Sequence, residues 1–214
     1  EVGATHSLLG NRSDARLWLM QALKLAQADT TTMEYLIQLD LEEGKIDVAK
    51  RHAVQLVNYD ADNSVARFAL GIYHQVRGEN EEAEAHYRRS LSQTRKPRTL
   101  NNLAWLLQEK GDYEDATQLA LETVQIAPEF ASGWDTLGVC NLRTDNYDEA
   151  ETAFHTALDF EPEMLSALLH LLELHLANNE IELARNVASA LKLRKSDFQP
   201  KQLEQLGALM LRLN

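Results

Sequence analysis

Cysteine occurs once, at Cys140, so no internal disulfide framework can hold this chain, and cysteine usage leaves its compartment open between cytoplasmic and extracytoplasmic. Only four prolines and nine glycines are spread over 214 residues, too few for a collagen-like or linker-rich chain. No apolar run approaches the roughly 18 residues of a membrane helix. The greasiest stretch, 164–177, is interrupted by His170, Glu173 and His175, which argues against direct membrane insertion. Positive charge is also short: 21 Lys and Arg stand against 33 Asp and Glu, a net charge of −12. Nucleic acid and anionic membranes need a cationic face to displace counterions, and no basic stripe is present. The short stretch Arg95-Lys96-Pro97-Arg98 reads as a solvated turn. β-Branched runs are few while Ala, Leu, Glu and Gln abound, so the chain reads as all-α.

What the sequence does have is a period. Turn signals at Gly10-Asn11, Gly44-Lys45, Gly78-Glu79, Gly111-Asp112, Asp145-Asn146 and Asn179-Glu180 are separated by 34, 34, 33, 34 and 34 residues. Five residues after the first member of each signal stands an alanine: Ala15, Ala49, Ala83, Ala116, Ala150 and Ala184. Where two antiparallel helices cross most closely, only a methyl fits between the backbones, so the alanines mark the crossing points of successive helix pairs.

The clearest unit carries Trp134, Leu137, Gly138, Ala150, Phe154, Ala157 and Pro162. This pattern resembles the W-x2-L-G…A-x3-F…P signature of the tetratricopeptide repeat family, and the resemblance covers the whole chain. Small residues recur at the place of Gly138 in Gly3, Gly71, Ala104 and Gly207, whereas Ile37 and Leu172 depart and suggest wider helix spacing there. The resemblance implies a right-handed α-solenoid, a superhelix of antiparallel helix-turn-helix repeats. In that register the chain is one array: a partial repeat at 1–29, full repeats at 30–63, 64–96, 97–130, 131–164 and 165–199, and a half repeat or capping helix at 200–214. Val2, Gly3 and His6 fall in helix phase, so the expectation is a stretch of a longer array.

In this family the first helix of each repeat, helix A, lines the concave face. Carried over by phase, the inward positions are Glu34, Gln38, Phe68, Ile72, Arg98, Asn101, Asn102, Trp105, Asp135, Val139, Arg143, Leu169, His170 and Glu173. Phe68, Ile72, Trp105, Val139 and Leu169 would form an apolar stripe among amides and carboxylates, suited to a peptide with a few apolar anchors. Trp105 is the expected chief anchor. Asn101-Asn102-Leu103-Ala104 looks like the asparagine-bearing helix of peptide-binding members, in which the residue at the place of Asn102 clamps a ligand backbone; an inter-helix hydrogen bond is the competing reading. The family's carboxylate clamp finds no match, since Phe68, Ile72, Ser132 and Thr136 occupy the flanking places.

Catalytic patterns are missing: there is no phosphate-binding glycine loop, no G-x-S-x-G elbow and no H-E-x-x-H. His170 and His175 diverge by about 140° around a helix and cannot share a ligand face. His74 and His175 read as packed core side chains with a satisfied nitrogen, and Cys140 as a small buried hydrophobe. The expectation is therefore a non-catalytic scaffold, without cofactor or metal, for a protein or peptide partner. The alternative is a structural array of a bacterial envelope or exopolysaccharide export system acting through self-association into a homo-oligomer.

Overall fold

Alanine at the crossing points and glycine at the turns produce a run of short helices in the computed structural model, which describes residues 12–26 and 28–213. Among the described residues twelve α-helices follow in order: α1 Arg12–Leu25, α2 Thr30–Glu42, α3 Ile46–Val57, α4 Ser64–Val76, α5 Asn80–Gln93, α6 Pro97–Lys110, α7 Tyr113–Ile126, α8 Ala131–Arg143, α9 Tyr147–Phe160, α10 Leu165–Ala177, α11 Ile181–Leu193 and α12 Pro200–Leu211. No strand occurs among the described residues, and no described helix is long and apolar enough to cross a membrane. The fold is all-α and built of helical repeats. The expected turn at Gly10-Asn11, the helix phase of Val2, Gly3 and His6, and Asn214 lie outside the described residues.

Local chemistry explains where the helices start and stop. Asp29 caps α2 by accepting from the Thr32 amide at 3.2 Å, and Asn63 caps α4 by accepting from the Val65 and Ala66 amides at 3.1 Å each. The five described turn signals all take positive φ: Gly44, Gly78 and Gly111, and, without glycine, Asp145 and Asn179 at 59° each. A left-handed residue reverses the chain between the helices of a pair at little steric cost when it is Gly, Asn or Asp.

The chain divides into two compact units, residues 1–99 and 100–214, with the division inside the first turn of α6. In the first, α2 packs on α3, α3 on α4, and α4 on α5; in the second, α8, α9, α10 and α11 pack in the same successive way. First helices of neighbouring pairs also touch, α2 with α4 in the first unit, and α8 with α10 and α10 with α12 in the second. Among the described residues the second helices have no comparable contact, so within each unit the row of first helices is the more closely drawn face. All six marker alanines are completely buried.

The small position of helix A also has a partner. A Cβ on Gly138 would run into the ring of Phe154, and one on Gly71 into the ring of Tyr87, so each glycine admits an aromatic from sixteen residues on. Where the position is instead Ile37 or Leu172, the residue sixteen further along is Ala53 or Ala188, buried in the same cluster. At these positions volume is exchanged between the two helices of the pair. In the first unit a buried carboxylate ties three helices: Asp40 on α2 meets Arg16 of α1 and His52 of α3 at 2.7 Å each. Burial pushes its pKa up, but the hydrogen bonds and charges of His52 and Arg16 outweigh burial and hold it below the ordinary carboxylate value.

Candidate functional site

The second unit carries a cleft of about 540 Å³ walled by α6, α8, α10 and α12. Its position follows from packing. Gly138 lets Phe154 reach the interior, and the His170 ring rests on Phe154 with centroids 5.6 Å apart. His170 then presents Nδ1 to Asp135 Oδ1 at 2.7 Å, joining α10 to α8 at the cleft wall. Burial alone would lower the His170 pKa, but the charge and hydrogen bond of Asp135 overcome it and raise the value above that of free histidine. One turn further along, Arg143 of α8 donates to Glu173 of α10 at 2.9 and 3.5 Å. The His170–Asp135 contact and the Arg143–Glu173 ion pair thus link α8 to α10.

Trp105 is the large apolar side chain that this cleft offers to solvent, at 39% exposure. Val139 and Leu169 form the floor, but they are only 7% and 1% exposed and pack into core clusters with Leu171 and Leu172 respectively. In the second unit one exposed aromatic thus stands above a floor that belongs to the core. Around it lie Asn101, Gln108, Glu109, Ser132, Thr136 and Ser166. Asn101 Oδ1 is buried with no hydrogen-bond donor among the described residues, an acceptor whose burial is costly until a donor arrives.

Of the positions expected from phase, Asn101, Trp105, Asp135, Val139, Arg143, Leu169 and His170 line this cleft, with Glu173 attached through Arg143. Asn102 does not line it; its neighbour Asn101 does. In the first unit Gln38, Phe68 and Arg98 share a separate cleft, whereas Glu34 accepts from Asn63 at 2.6 Å and half-buried Ile72 lines neither cleft. The phase reading omitted Lys201, Gln202 and Gln205, which α12 contributes to the second unit's cleft. The signal was present: aligning Gly207 with Gly138 puts Lys201 and Gln205 at the places of Ser132 and Thr136.

The core histidines are as their sequence places indicated. His74 Nδ1 meets Glu79 at 2.6 Å and His175 Nδ1 meets Glu180 at 2.8 Å, each five residues on and across the turn. Cys140 is fully buried, and burial pushes its thiol pKa up to about 11, far from a nucleophile's.

Known proteins of similar shape are helical-repeat proteins. PilF of Pseudomonas aeruginosa is 23% identical over 87% of this chain and 90% of its own, with a TM-score of 0.64. PilW, described as a widely conserved type IV pilus biogenesis factor, is 13% identical over 98% of this chain and 95% of its own, with a TM-score of 0.75. YrrB, described as a TPR protein with an unusual peptide-binding site, is 16% identical over 89% of this chain and 96% of its own, with a TM-score of 0.65. Identities this low establish the fold alone. No curated protein matches the sequence significantly. Family models described as tetratricopeptide repeat match residues 36–98 and 141–200, and a further one matches 98–127. With that coverage and the buried alanine register, the chain belongs to the tetratricopeptide repeat family.

Proposed function

We propose that this chain is a protein-interaction scaffold and that the second unit holds a peptide segment of a partner in the cleft around Trp105. The observation that carries the reading is the exposed indole standing over a buried apolar floor, ringed by amides, hydroxyls, the His170–Asp135 contact and the Arg143–Glu173 ion pair. A protein of similar fold is described as having a peptide-binding site, which supports the reading. Extended backbone carries donors that the unsatisfied Asn101 oxygen lacks, and an apolar side chain of the partner gains by covering Trp105. Rigid aromatic anchors dominate measured interface energies.

The test is Trp105→Ala in the full chain, with partners captured by the wild type then titrated against both proteins by calorimetry. Loss of an anchor costs about 2 kcal/mol, some thirtyfold in affinity. Unchanged affinity with an unchanged melting temperature overturns the assignment of this cleft.

The second reading, a structural array that acts through self-association, draws on the outward face of α1, where Leu17, Trp18 and Met20 are exposed together. PilW, whose fold is similar, is described as a pilus biogenesis factor, which is consistent with work inside an envelope assembly. Light scattering over a concentration series, with Trp18→Ser as control, decides it: a mass that stays monomeric throughout removes this reading.

A further inference from the structure

The first unit has its own cleft, of about 340 Å³, formed by α2, α4 and the start of α6. Its floor is apolar: Leu41, Val65 and half-buried Phe68, whose ring leans on Tyr87 with centroids 6.1 Å apart. Pro97 lines it too, flanked in sequence by Lys96 and Arg98, both exposed and both part of the lining. The sequence alone made this stretch a solvated turn; folded, it edges a cavity. Neither Lys96 nor Arg98 has an ion-pair partner among the described residues. Proline at the first position of α6 fixes the backbone direction between them, and the amino end of the helix adds partial positive charge at the same place. Gln38, Ser64 and Thr99 are neutral, and Glu42 alone among the lining residues is acidic, standing at the far end of α2.

We propose that this cleft docks an acidic segment of a partner protein, with a bulky apolar side chain on Leu41, Val65 and Phe68 and a neighbouring Asp or Glu side chain at Lys96 and Arg98. The inference rests on the scaffold reading and adds the chemistry of what the first unit takes. Cations fully in water would select little. Beside an apolar floor that excludes water from one side, the same charges discriminate between segments. On a chain of net charge −12, an acidic segment is repelled by most of the surface and finds paired cations beside an apolar cavity here. Glu42 sets the direction, turning the carboxylate end of the segment towards residues 96–98.

The experiment titrates the isotopically labelled full chain with the end-blocked peptide Gly-Asp-Phe-Asp-Gly and with its neutral counterpart Gly-Asn-Phe-Asn-Gly, following backbone amide shifts. The expected result is saturable shifts at residues 38–42, 64–68 and 96–99, about tenfold tighter for the acidic peptide and lost in the Lys96→Gln, Arg98→Gln double variant. Both substitutions are on exposed side chains, so the fold survives them. Equal binding of the two peptides at these residues overturns the acidic selectivity while leaving the cleft a docking site. Absence of saturable shifts with either peptide overturns both for this unit. If only a free C-terminal carboxylate restores binding to the neutral peptide, the assignment to acidic side chains is wrong.

Discussion

At the scale of single residues, the second unit's cleft depends on a hydrogen atom: Gly138 has no Cβ, so Phe154 fits, and His170 rests on Phe154. Alanine is the better helix former by about 1 kcal/mol. A methyl at Gly138 would nevertheless meet a ring that is completely buried and has nowhere to retreat. Overpacking of this kind costs about 1–3 kcal/mol, so Gly138→Ala is expected to destabilise by roughly 1–2 kcal/mol in denaturant titration, despite its helix propensity. Asn179 gives the opposite sign. It sits at φ 59° in the turn before α11, where glycine relieves the Cβ contact at a smaller cost in unfolded-chain entropy. Asn179→Gly is expected to gain about 0.5 kcal/mol. Asp145 at the same φ is the poorer target, because it accepts a hydrogen bond from the Tyr147 hydroxyl at 2.8 Å. These turns were legible in sequence because only a few residue types tolerate their backbone, so the requirement shows in the residue itself.

At the scale of the helix pair, what the sequence revealed and what it hid separate cleanly. The alanine register and the turn spacing are one-position rules, each readable without knowing any neighbour. The exchange between helix positions sixteen residues apart is a two-position rule: glycine with an aromatic at 138 and 154, leucine with alanine at 172 and 188. Read singly, Leu172 is a departure; read with Ala188, it fills the same volume from the other helix. The same limit explains the cleft floor, since phase says which way Val139 and Leu169 point but not that the packing of neighbouring helices covers them. It also explains residues 95–98, whose charges look merely solvated until α2 and α4 supply an apolar floor beside them. The exchange is testable by a cycle. Leu172→Gly alone opens a cavity and is expected to cost about 3–5 kcal/mol, and Ala188→Phe alone overpacks by about 1–3 kcal/mol. Together they reproduce the Gly138 and Phe154 arrangement, so the double variant is expected to recover at least about 2 kcal/mol relative to the sum of the singles. Additive losses in urea titrations would show that the two positions do not share one volume.

At the scale of the whole molecule, a repeat built from neighbour contacts lets each unit answer its own surroundings, and the histidines make that visible as pH. In the first unit His86 stacks on His74 with centroids 5.2 Å apart, and its Nδ1 lies 3.3 Å from Arg67 Nη1. Burial, followed by the positive charge of Arg67, His74 and Arg89, pushes the His86 pKa down to about 4. The unfolded chain binds that proton near pH 6.5. As pH falls from about 6.5 towards 4, the unfolded state therefore takes up a proton that the folded state refuses, and the first unit loses stability. His170 in the second unit runs the other way: its pKa is raised, because Asp135 at 2.7 Å more than offsets burial. Its contribution is complete below the unfolded value and is lost as pH rises through the folded one. Amide hydrogen exchange, expressed as protection factors at about pH 5 and about pH 8, separates the two. On acidification, protection is expected to fall across α4 and α5 and to rise across α8 and α10. His86→Gln should flatten the first response without touching the second, and His170→Gln the reverse. A uniform change along the chain, insensitive to either substitution, would mean that net charge rather than these two rings governs how the molecule responds to acid.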